Sequence, residues 1–334
     1  MHLFIDTNVF LSFYHLTSDD LEELRKLAVL IDQKQVVLLL PEQVVAEFRR
    51  NRENKIADAL KGLKEQRLNL QFPQVCKDYP EYPELRKLQK QYEERHSALL
   101  DKVSHDVTNA TLKADKTIKQ LFVKAETIES TPERISRARL RIAVGNPPGK
   151  NDSLGDAINW EALLDHMPPL TDLHFITDDR DYISILDENR LKEFLLHEWA
   201  VRTQAGELRF YRRLSSFFKE YFPQIKLASE LEKELSIQTL AASRSFSRTH
   251  IAIARLSKHT QFTATQRNDI VRAAVSNSQV SSIIDDEDVQ QFLATVITGH
   301  EVELDEGLLN DVQTHLAKSK TEVETSGDNE DVPF

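Results

Sequence analysis

The feature that most constrains the fold is an apolar run at the amino terminus that ends abruptly in polar residues. Leu3 to Ile5 carries no charge and is followed at once by Asp6, Thr7 and Asn8. Such a run is typical of a strand that is buried on both faces of a parallel sheet. Ligands of open α/β sheets bind at the carboxyl ends of the strands, so Asp6 is a candidate for chemistry. The same polar residues can instead cap a following helix.

A second strand and a helix are predicted shortly afterwards. Residues 36–40 form another short apolar run, and Pro41 is well placed at the start of a helix. Glu47 falls beside the apolar face of that helix, near the end of a strand that should be parallel to the first. The side chain of Glu47 can therefore point across the same cleft, although a glutamate on a helix is more often simply solvated.

A third apolar run, beginning at Leu173, repeats the pattern of the first. It ends in Thr177, Asp178 and Asp179. Because the carboxyl ends of parallel strands meet at one edge of a sheet, these side chains are expected to lie close to Asp6.

The stretch before that run is punctuated by two glycines and two prolines between Gly145 and Gly149, so a helix should begin near Asp152 or Ser153. Asp152 and Asp156 are four residues apart and would share one helix face. A capping box from Ser153 to Asp156 is the structural alternative.

Carboxylates gathered in this way repel one another unless a cation joins them. Mg²⁺ and Mn²⁺ prefer oxygen ligands, and a pair of such ions can stabilise both oxygens of an in-line phosphodiester displacement. The sequence therefore predicts a magnesium or manganese site at this edge of the sheet.

Charge is unevenly distributed along the chain. Residues 49–150 carry 22 Lys and Arg against 14 Asp and Glu, although the whole chain has a formal net charge of -11. A basic segment in an acidic protein is expected of an element that binds a polyanion, and solvated helices give the same pattern. The candidate nucleic-acid contacts are Arg137, Arg139, Arg141 and Lys150.

Length and composition set the remaining limits. The 334 residues suffice for an α/β domain and an appendage. The single cysteine, Cys76, excludes an internal disulfide framework and fits a reducing cytoplasm. No secretory signal or membrane-spanning segment is expected.

The domain organisation follows from the same patterns. An α/β domain is predicted over 1–225, with a long helical insertion at about 49–141. A connection of that length is usually functional rather than a passive loop. A C-terminal helical domain is predicted over 226–318, and a disordered acidic tail over 319–334.

Together the motifs resemble those of the PIN-domain nucleases. Residues 5–8 resemble the opening acidic motif, 41–47 the helix that carries a glutamate, and 176–182 the closing Thr-x-Asp motif. Residues 150–157 resemble the Lys-x-acid-Ser-x-x-Asp form of larger bacterial PIN-like proteins. The long insertion and the C-terminal third depart from the compact family pattern.

The resemblance implies an α/β fold with a PIN-like central parallel sheet flanked by helices. It implies a catalytic, metal-binding set of Asp6, Glu47, Asp156 and Asp179. Asp152 is a further candidate ligand, and Asp178 competes with Asp179. Thr7, Asn8 and Thr177 match residues that orient such a site.

The function expected from the resemblance is a metal-dependent endonuclease, and more specifically an endoribonuclease of a toxin or defence system. Single-stranded DNA is the alternative substrate. A catalytically inert PIN-like scaffold is the alternative from another class, in which the insertion and the C-terminal domain bind protein partners. The sequence leaves the oligomeric state open.

Overall fold

The computed structural model describes residues 1–15, 21–66, 68, 71–149 and 154–314. The chain divides into two compact units, Met1–Lys226 and Leu227–Phe334. The division lies one residue beyond the boundary predicted at 225, and the predicted acidic tail lies outside the described residues. Within the described ranges, no helix is both long and apolar enough to cross a bilayer.

A sheet of five strands forms the centre of the first unit. The strands are β1 (His2–Ile5), β2 (Val37–Pro41), β3 (Glu126–Ile128), β4 (Leu173–Ile176) and β5 (Leu208–Tyr211). They lie side by side in the order β3-β2-β1-β4-β5, and every pairing is parallel. Phe4 of β1 lies opposite Leu39 of β2 and Phe175 of β4, and all three side chains are buried. The predicted parallel α/β class is confirmed.

Helices connect the strands and cover the sheet. They are α1 (Thr7–Ser12), α2 (Leu21–Asp32), α3 (Glu42–Glu65), α4 (Glu81–Thr108), α5 (Lys113–Lys124), α6 (Pro132–Ala143), α7 (Gly155–His166), α8 (Glu193–Arg202) and α9 (Leu214–Tyr221). A short 3₁₀ turn, Gln74–Asp78, precedes α4.

The strand order reverses between β1 and β4, because the chain first runs outward through β2 and β3 and then returns to the other side of β1. In sheets of this kind the reversal opens a crevice at the carboxyl ends of the two strands, and ligands bind there. The topology therefore places the segments after Ile5 and Ile176 at the expected ligand site.

The predicted insertion at 49–141 is only partly an insertion. Its last third returns to the domain: α5 packs against α2, and β3 pairs with β2 through Leu40 and Thr127. Sequence patterning misses β3 because the strand has three residues and two of them are exposed. The part that leaves the domain is the outer half of α3 together with α4, a helix of 28 residues of which none is buried.

The second unit is helical. Its described elements include α10 (Ala228–Ala241), α11 (Phe246–Leu256), α12 (Ala264–Ser276), α13 (Ser278–Ser281) and α14 (Glu287–Ile297). They enclose a core of their own that includes Ile253, Val271 and Phe292. Thr263 begins α12 with a reciprocal cap to Gln266. The prediction of a helical C-terminal region is confirmed.

A buried ion-pair network joins three helices of the first unit. Arg141 of α6 donates to Oε1 of Glu161 on α7 from Nε and Nη2, at 2.9 and 2.6 Å. The same Nη2 donates to Oε1 of Glu198 on α8 at 2.6 Å, and Nη1 donates to the Pro147 carbonyl at 2.7 Å. Trp160 donates from Nε1 to the second oxygen of Glu198 at 2.7 Å.

Breaking this network is expected to destabilise the protein strongly. Arg141→Met removes the buried cation that Glu161 and Glu198 share and leaves Glu161 only its bond from Arg137, so the free energy of unfolding should fall by about 3 kcal/mol. Arg139→Met, on an exposed position of the same helix, is the matched control and should change stability by less than about 0.5 kcal/mol. Urea unfolding followed by circular dichroism measures both. Equal stability of the two variants would contradict the structural role of Arg141.

Candidate active site

Five carboxylates converge at the reversal point of the sheet, and together they are called the carboxylate cluster below. They come from four parts of the local framework: the end of β1, the second turn of α3, the first turn of α7, and the turn after β4, which carries two of them. The members are Asp6, Glu47, Asp156, Asp179 and Asp181.

The carboxylate of Asp6 is buried and does not cap α1. Although Asp6 occupies the position before the first helical residue, its side chain makes no capping hydrogen bond. Instead Oδ2 accepts a hydrogen bond from Oγ1 of Thr177 at 2.6 Å. The backbone N–H of Asp6 donates to the carbonyl of Ile176 at 2.9 Å. The capping interpretation is therefore wrong, and Asp6 is bound to the end of β4.

The turn after β4 is held by side-chain bonds to the backbone. Oγ1 of Thr177, which donates to Asp6, accepts from the backbone N–H of Asp179 at 3.0 Å. Oδ1 of Asp179 accepts from the backbone N–H of Asp181 at 2.8 Å. Nδ2 of Asn8 donates to Oδ2 of Asp179 at 3.0 Å. Both oxygens of Asp179 are thus fixed in direction.

Asp178 takes no part in the carboxylate cluster. Its side chain is exposed, and Oδ1 accepts from Nε of Arg212 at 2.7 Å. Of the two adjacent aspartates that sequence reasoning left in competition, the structure brings Asp179 and not Asp178 to the other carboxylates.

Glu47 and Asp156 approach each other because α7 begins with a glycine. A Cβ atom on Gly155 would lie 3.0 Å from Nε2 of Gln43 and 3.1 Å from Oε2 of Glu47, which is closer than most real Cβ contacts. Oε2 of Glu47 also accepts from Oγ1 of Thr7 at 3.4 Å. The absence of a side chain at Gly155 therefore lets the first turn of α7 lie against α3.

Three members form the tightest group. One ligand atom each from Asp156, Asp179 and Asp181 lies within 4.8 Å of the others. Asp181 was not predicted, because nothing in the pattern of residues 178–181 marks it as buried. Its only sequence signal is its spacing of two from Asp179, which can place both side chains on one side of an irregular segment. The hydroxyl of Tyr182 donates to the Asp156 carbonyl at 3.1 Å and ties this turn to α7.

Burial and neighbouring charges raise the pKa values of Asp6, Glu47 and Asp156. Burial, followed by the charges of Glu47 and Asp179, raises the pKa of Asp6 to about 7, against the opposing bond from Thr177. Burial, followed by the charges of Asp6, Asp179, Glu47 and Asp181, raises the pKa of Asp156 to about 8. Burial likewise raises the pKa of Glu47.

This set of side chains fits a divalent metal. The cluster offers only oxygen donors, which Mg²⁺ and Mn²⁺ prefer, and it concentrates negative charge in a partly buried place where ionisation is costly without a cation. Asp156, Asp179 and Asp181 would hold the ion, with Asp6 and Glu47 beside them. Asp152, the further predicted ligand, lies outside the described residues.

The structure places the predicted nucleic-acid contacts in different environments. Arg141 is buried in the ion-pair network, and Arg137 pairs with Glu161 at 3.0 Å and with Asp165. Arg141 is corrected to a structural role, because Glu161 and Glu198 neutralise it inside the domain. Arg137 is 38% exposed, and its predicted contact stays a prediction. A count of charges along the chain does not reveal such pairing. Arg139 is exposed on α6. Lys150 lies outside the described residues.

The raised pKa of Asp156 has a measurable consequence for stability in the absence of metal. Between its usual value of 3.8 and about 8, the folded state holds a proton that the unfolded chain has released. The free energy of unfolding therefore falls as the pH rises through this range. In a chelator at pH 8, Asp156→Asn should raise the free energy of unfolding by at least about 1 kcal/mol.

Added Mn²⁺ should raise the melting temperature of the wild type and leave Asp156→Asn unchanged, because the ion binds only the folded wild-type site. Asp178→Asn, which removes an exposed carboxylate outside the cluster, is the control and should respond to Mn²⁺ as the wild type does. A variant at position 156 that is less stable than wild type in the chelator would contradict the assigned repulsion.

Comparison with known families agrees with this geometry. The PIN domain model matches residues 3–182, more than half of the chain. The matched segment contains all five members of the carboxylate cluster. No match was found among curated proteins or among solved structures. The resemblance seen in the sequence motifs is confirmed, and the chain belongs to the PIN-domain family.

Proposed function

We propose that this protein is a metal-dependent endonuclease that hydrolyses phosphodiester bonds in RNA. The observation that carries the proposal is the oxygen-only cluster in which Asp156, Asp179 and Asp181 each offer a ligand atom within 4.8 Å of the others. PIN-domain proteins are generally nucleases, and this chain keeps a carboxylate at every position that its motifs share with the family. The choice of RNA over DNA rests on the family resemblance.

The position of each carboxylate in the cluster would determine its role. Asp156, Asp179 and Asp181 would bind Mg²⁺ or Mn²⁺, with further oxygens from Asp6 and Glu47. When bound, the ion supplies Lewis acidity that activates water for attack on the phosphodiester and offsets charge on the leaving oxygen. No side-chain nucleophile is required.

The neighbours of the cluster would keep its oxygens in place. Asn8 and the backbone N–H of Asp181 each hold one oxygen of Asp179, and Thr177 holds one oxygen of Asp6. Groups that fix the direction of ligand oxygens reduce the reorganisation needed when an ion and a substrate bind. The same hydrogen bonds support carboxylates that would otherwise turn away from one another.

The setting of the enzyme is proposed on more general grounds. A single, free cysteine is consistent with action in the cytoplasm. A role in a toxin or defence system follows from the resemblance to larger bacterial PIN-like proteins. Exposed Arg139 is retained as a proposed nucleic-acid contact, and the second, helical unit as a proposed site for protein partners.

Two adjacent aspartates provide the sharpest test of the site. Asp179→Asn removes a charge from the cluster and should lower cleavage of end-labelled single-stranded RNA by about 100-fold or more in Mg²⁺ or Mn²⁺. Asp178→Asn removes an equal charge one residue away, outside the cluster, and should cleave within about twofold of the wild type, because the exposed amide keeps an oxygen that can still accept from Arg212. A chelator should abolish all cleavage.

The same assay separates the alternatives. If the wild type cleaves single-stranded DNA and not RNA, the substrate is DNA. Full activity of Asp179→Asn would show that the ligand set is wrong. If the wild type cleaves neither nucleic acid and calorimetry detects no metal binding, the protein is an inert scaffold and the nuclease proposal fails.

A second prediction concerns the glycine at the start of α7. In Gly155→Ala the new Cβ would crowd Gln43 and Glu47, so metal affinity measured by calorimetry should fall by roughly tenfold. Gly62→Ala on α3, where a Cβ meets nothing within 4 Å, is the matched control. It should bind metal normally and gain about 0.5–1 kcal/mol of stability. Normal metal affinity in Gly155→Ala would show that Glu47 is not held by this close approach.

A further inference from the structure

A short hairpin at residues 183–191, called the tip hairpin below, begins two residues after Asp181, the last carboxylate of the cluster. Ile183 and Leu191 form an antiparallel bridge at its base, and both are buried. At its tip the side chains of Ile185 and Leu186 are 95% and 98% exposed. Large aliphatic side chains are among those most often buried, and two neighbours in water at a turn require an explanation.

The fold of the tip hairpin does not depend on these two side chains. The backbone N–H of Ser184 donates to the Arg190 carbonyl at 2.9 Å. Oγ of Ser184 accepts from the N–H of Leu186 at 3.2 Å, and Oδ1 of Asp187 accepts from the N–H of Asn189 at 2.9 Å. Because these bonds set the turn, polar residues would serve the conformation at least as well at its tip.

The tip hairpin is fixed to the carboxylate cluster. Arg212 donates to Asp178, the residue before Asp179, at 2.7 Å and to Glu188 of the hairpin at 3.0 Å. At the other end, Nζ of Lys192 donates to the Asp181 carbonyl at 2.6 Å. These contacts hold the hairpin to the turn that presents Asp179 and Asp181.

The reach of the chain limits how far the tip lies from the cluster. Ile185 lies four residues after Asp181 in the chain, and a fully extended chain of four residue steps spans at most about 14 Å. Stacked nucleotides rise by about 3.4 Å each along a strand. A strand whose scissile phosphate lies at the cluster can therefore meet the tip within about four nucleotides.

We propose that Ile185 and Leu186 pack against the nucleobases of a single-stranded RNA substrate next to the scissile phosphate. Aliphatic side chains are known to insert between bases as apolar wedges, and unpaired bases offer apolar faces for them. Exposed Arg180, between the two aspartates of the same turn, supplies a cation for the backbone of that strand. The inference rests on the proposed nuclease function.

The tip hairpin lies outside the segment that matches the family model. The family match ends at Tyr182, the residue immediately before the hairpin. The carboxylate cluster within the match would supply the chemistry, and the hairpin beyond it would help to select and position the strand. A protein with an apolar pocket is the alternative partner, but attachment of the hairpin to the turn that carries Asp179 and Asp181 favours the substrate.

The test compares a substrate that has bases with one that has none. The double variant Ile185→Ser/Leu186→Ser should raise KM for single-stranded RNA by on the order of tenfold, because apolar contact area is lost, and leave kcat unchanged. Its hydrolysis of bis(p-nitrophenyl) phosphate, a diester without nucleobases, should equal that of the wild type. Leu170→Ser, which alters another exposed aliphatic side chain at 73% exposure, is the control and should match the wild type on both substrates.

Binding provides a readout that does not require cleavage. Fluorescence anisotropy with labelled single-stranded RNA in a chelator should show affinity about tenfold weaker for the double variant than for Leu170→Ser. Unchanged KM and affinity in the double variant would overturn the proposal, as would a wild type that does not bind RNA. A wild type that binds RNA through the tip but cleaves nothing would refute the nuclease function, and with it the position of the tip beside a scissile phosphate, while establishing that the tip contacts RNA.

Discussion

The first unit depends on the shared edge of its sheet, which forces mutually repelling carboxylates together. Parallel strands end at one edge, so the residues after β1 and β4 meet there whatever their charge. Burial, and after it the charges of the neighbouring carboxylates, raises the pKa of Asp6 to about 7 and that of Asp156 to about 8, so their charged forms are costly there. A protein accepts such a cost where a ligand relieves it, and a divalent cation is the ligand whose chemistry fits.

A rigid apolar base beneath the cluster makes the arrangement possible. Phe4 of β1 and Phe175 of β4 stack with ring centroids 4.8 Å apart, and Tyr182 lies 5.0 Å from Phe175. Trp160 of α7 closes the group at 6.0 Å from Phe175. These rings bury large apolar areas and hold α7 and the turn after β4 in fixed positions. Packing in the core therefore opposes the tendency of the acids to separate.

The sequence was most informative where periodicity and position act together. Apolar runs that end in Asp6 and in residues 177–179 predicted two strands and the edge they share, because burial on both faces requires such runs. Asp181 and Gly155 escaped prediction because their roles depend on the path of irregular backbone and on the closeness of two helices. Neither property has a period in the sequence.

Charge was the least reliable guide, for a related physical reason. Arg137 and Arg141 resemble a basic surface when residues are counted along the chain, yet acids on α7 and α8 neutralise them within the domain. A linear count cannot pair charges across space. Strand β3 was missed because its three residues, at the edge of the sheet, are too few to form a pattern in the sequence.

The hydroxyl of Thr177 links the alignment of two strands to the orientation of two carboxylates. It has one proton, which it gives to Asp6, and so it can only accept from the backbone of Asp179. This one-way chain spans the gap between β1 and β4 and joins the first acidic motif to the last. A slip of one residue between those strands would turn every side chain of one strand to the opposite face and break the chain at both ends. The alignment of two backbones is therefore itself a component of the site, as indispensable as any of the acids.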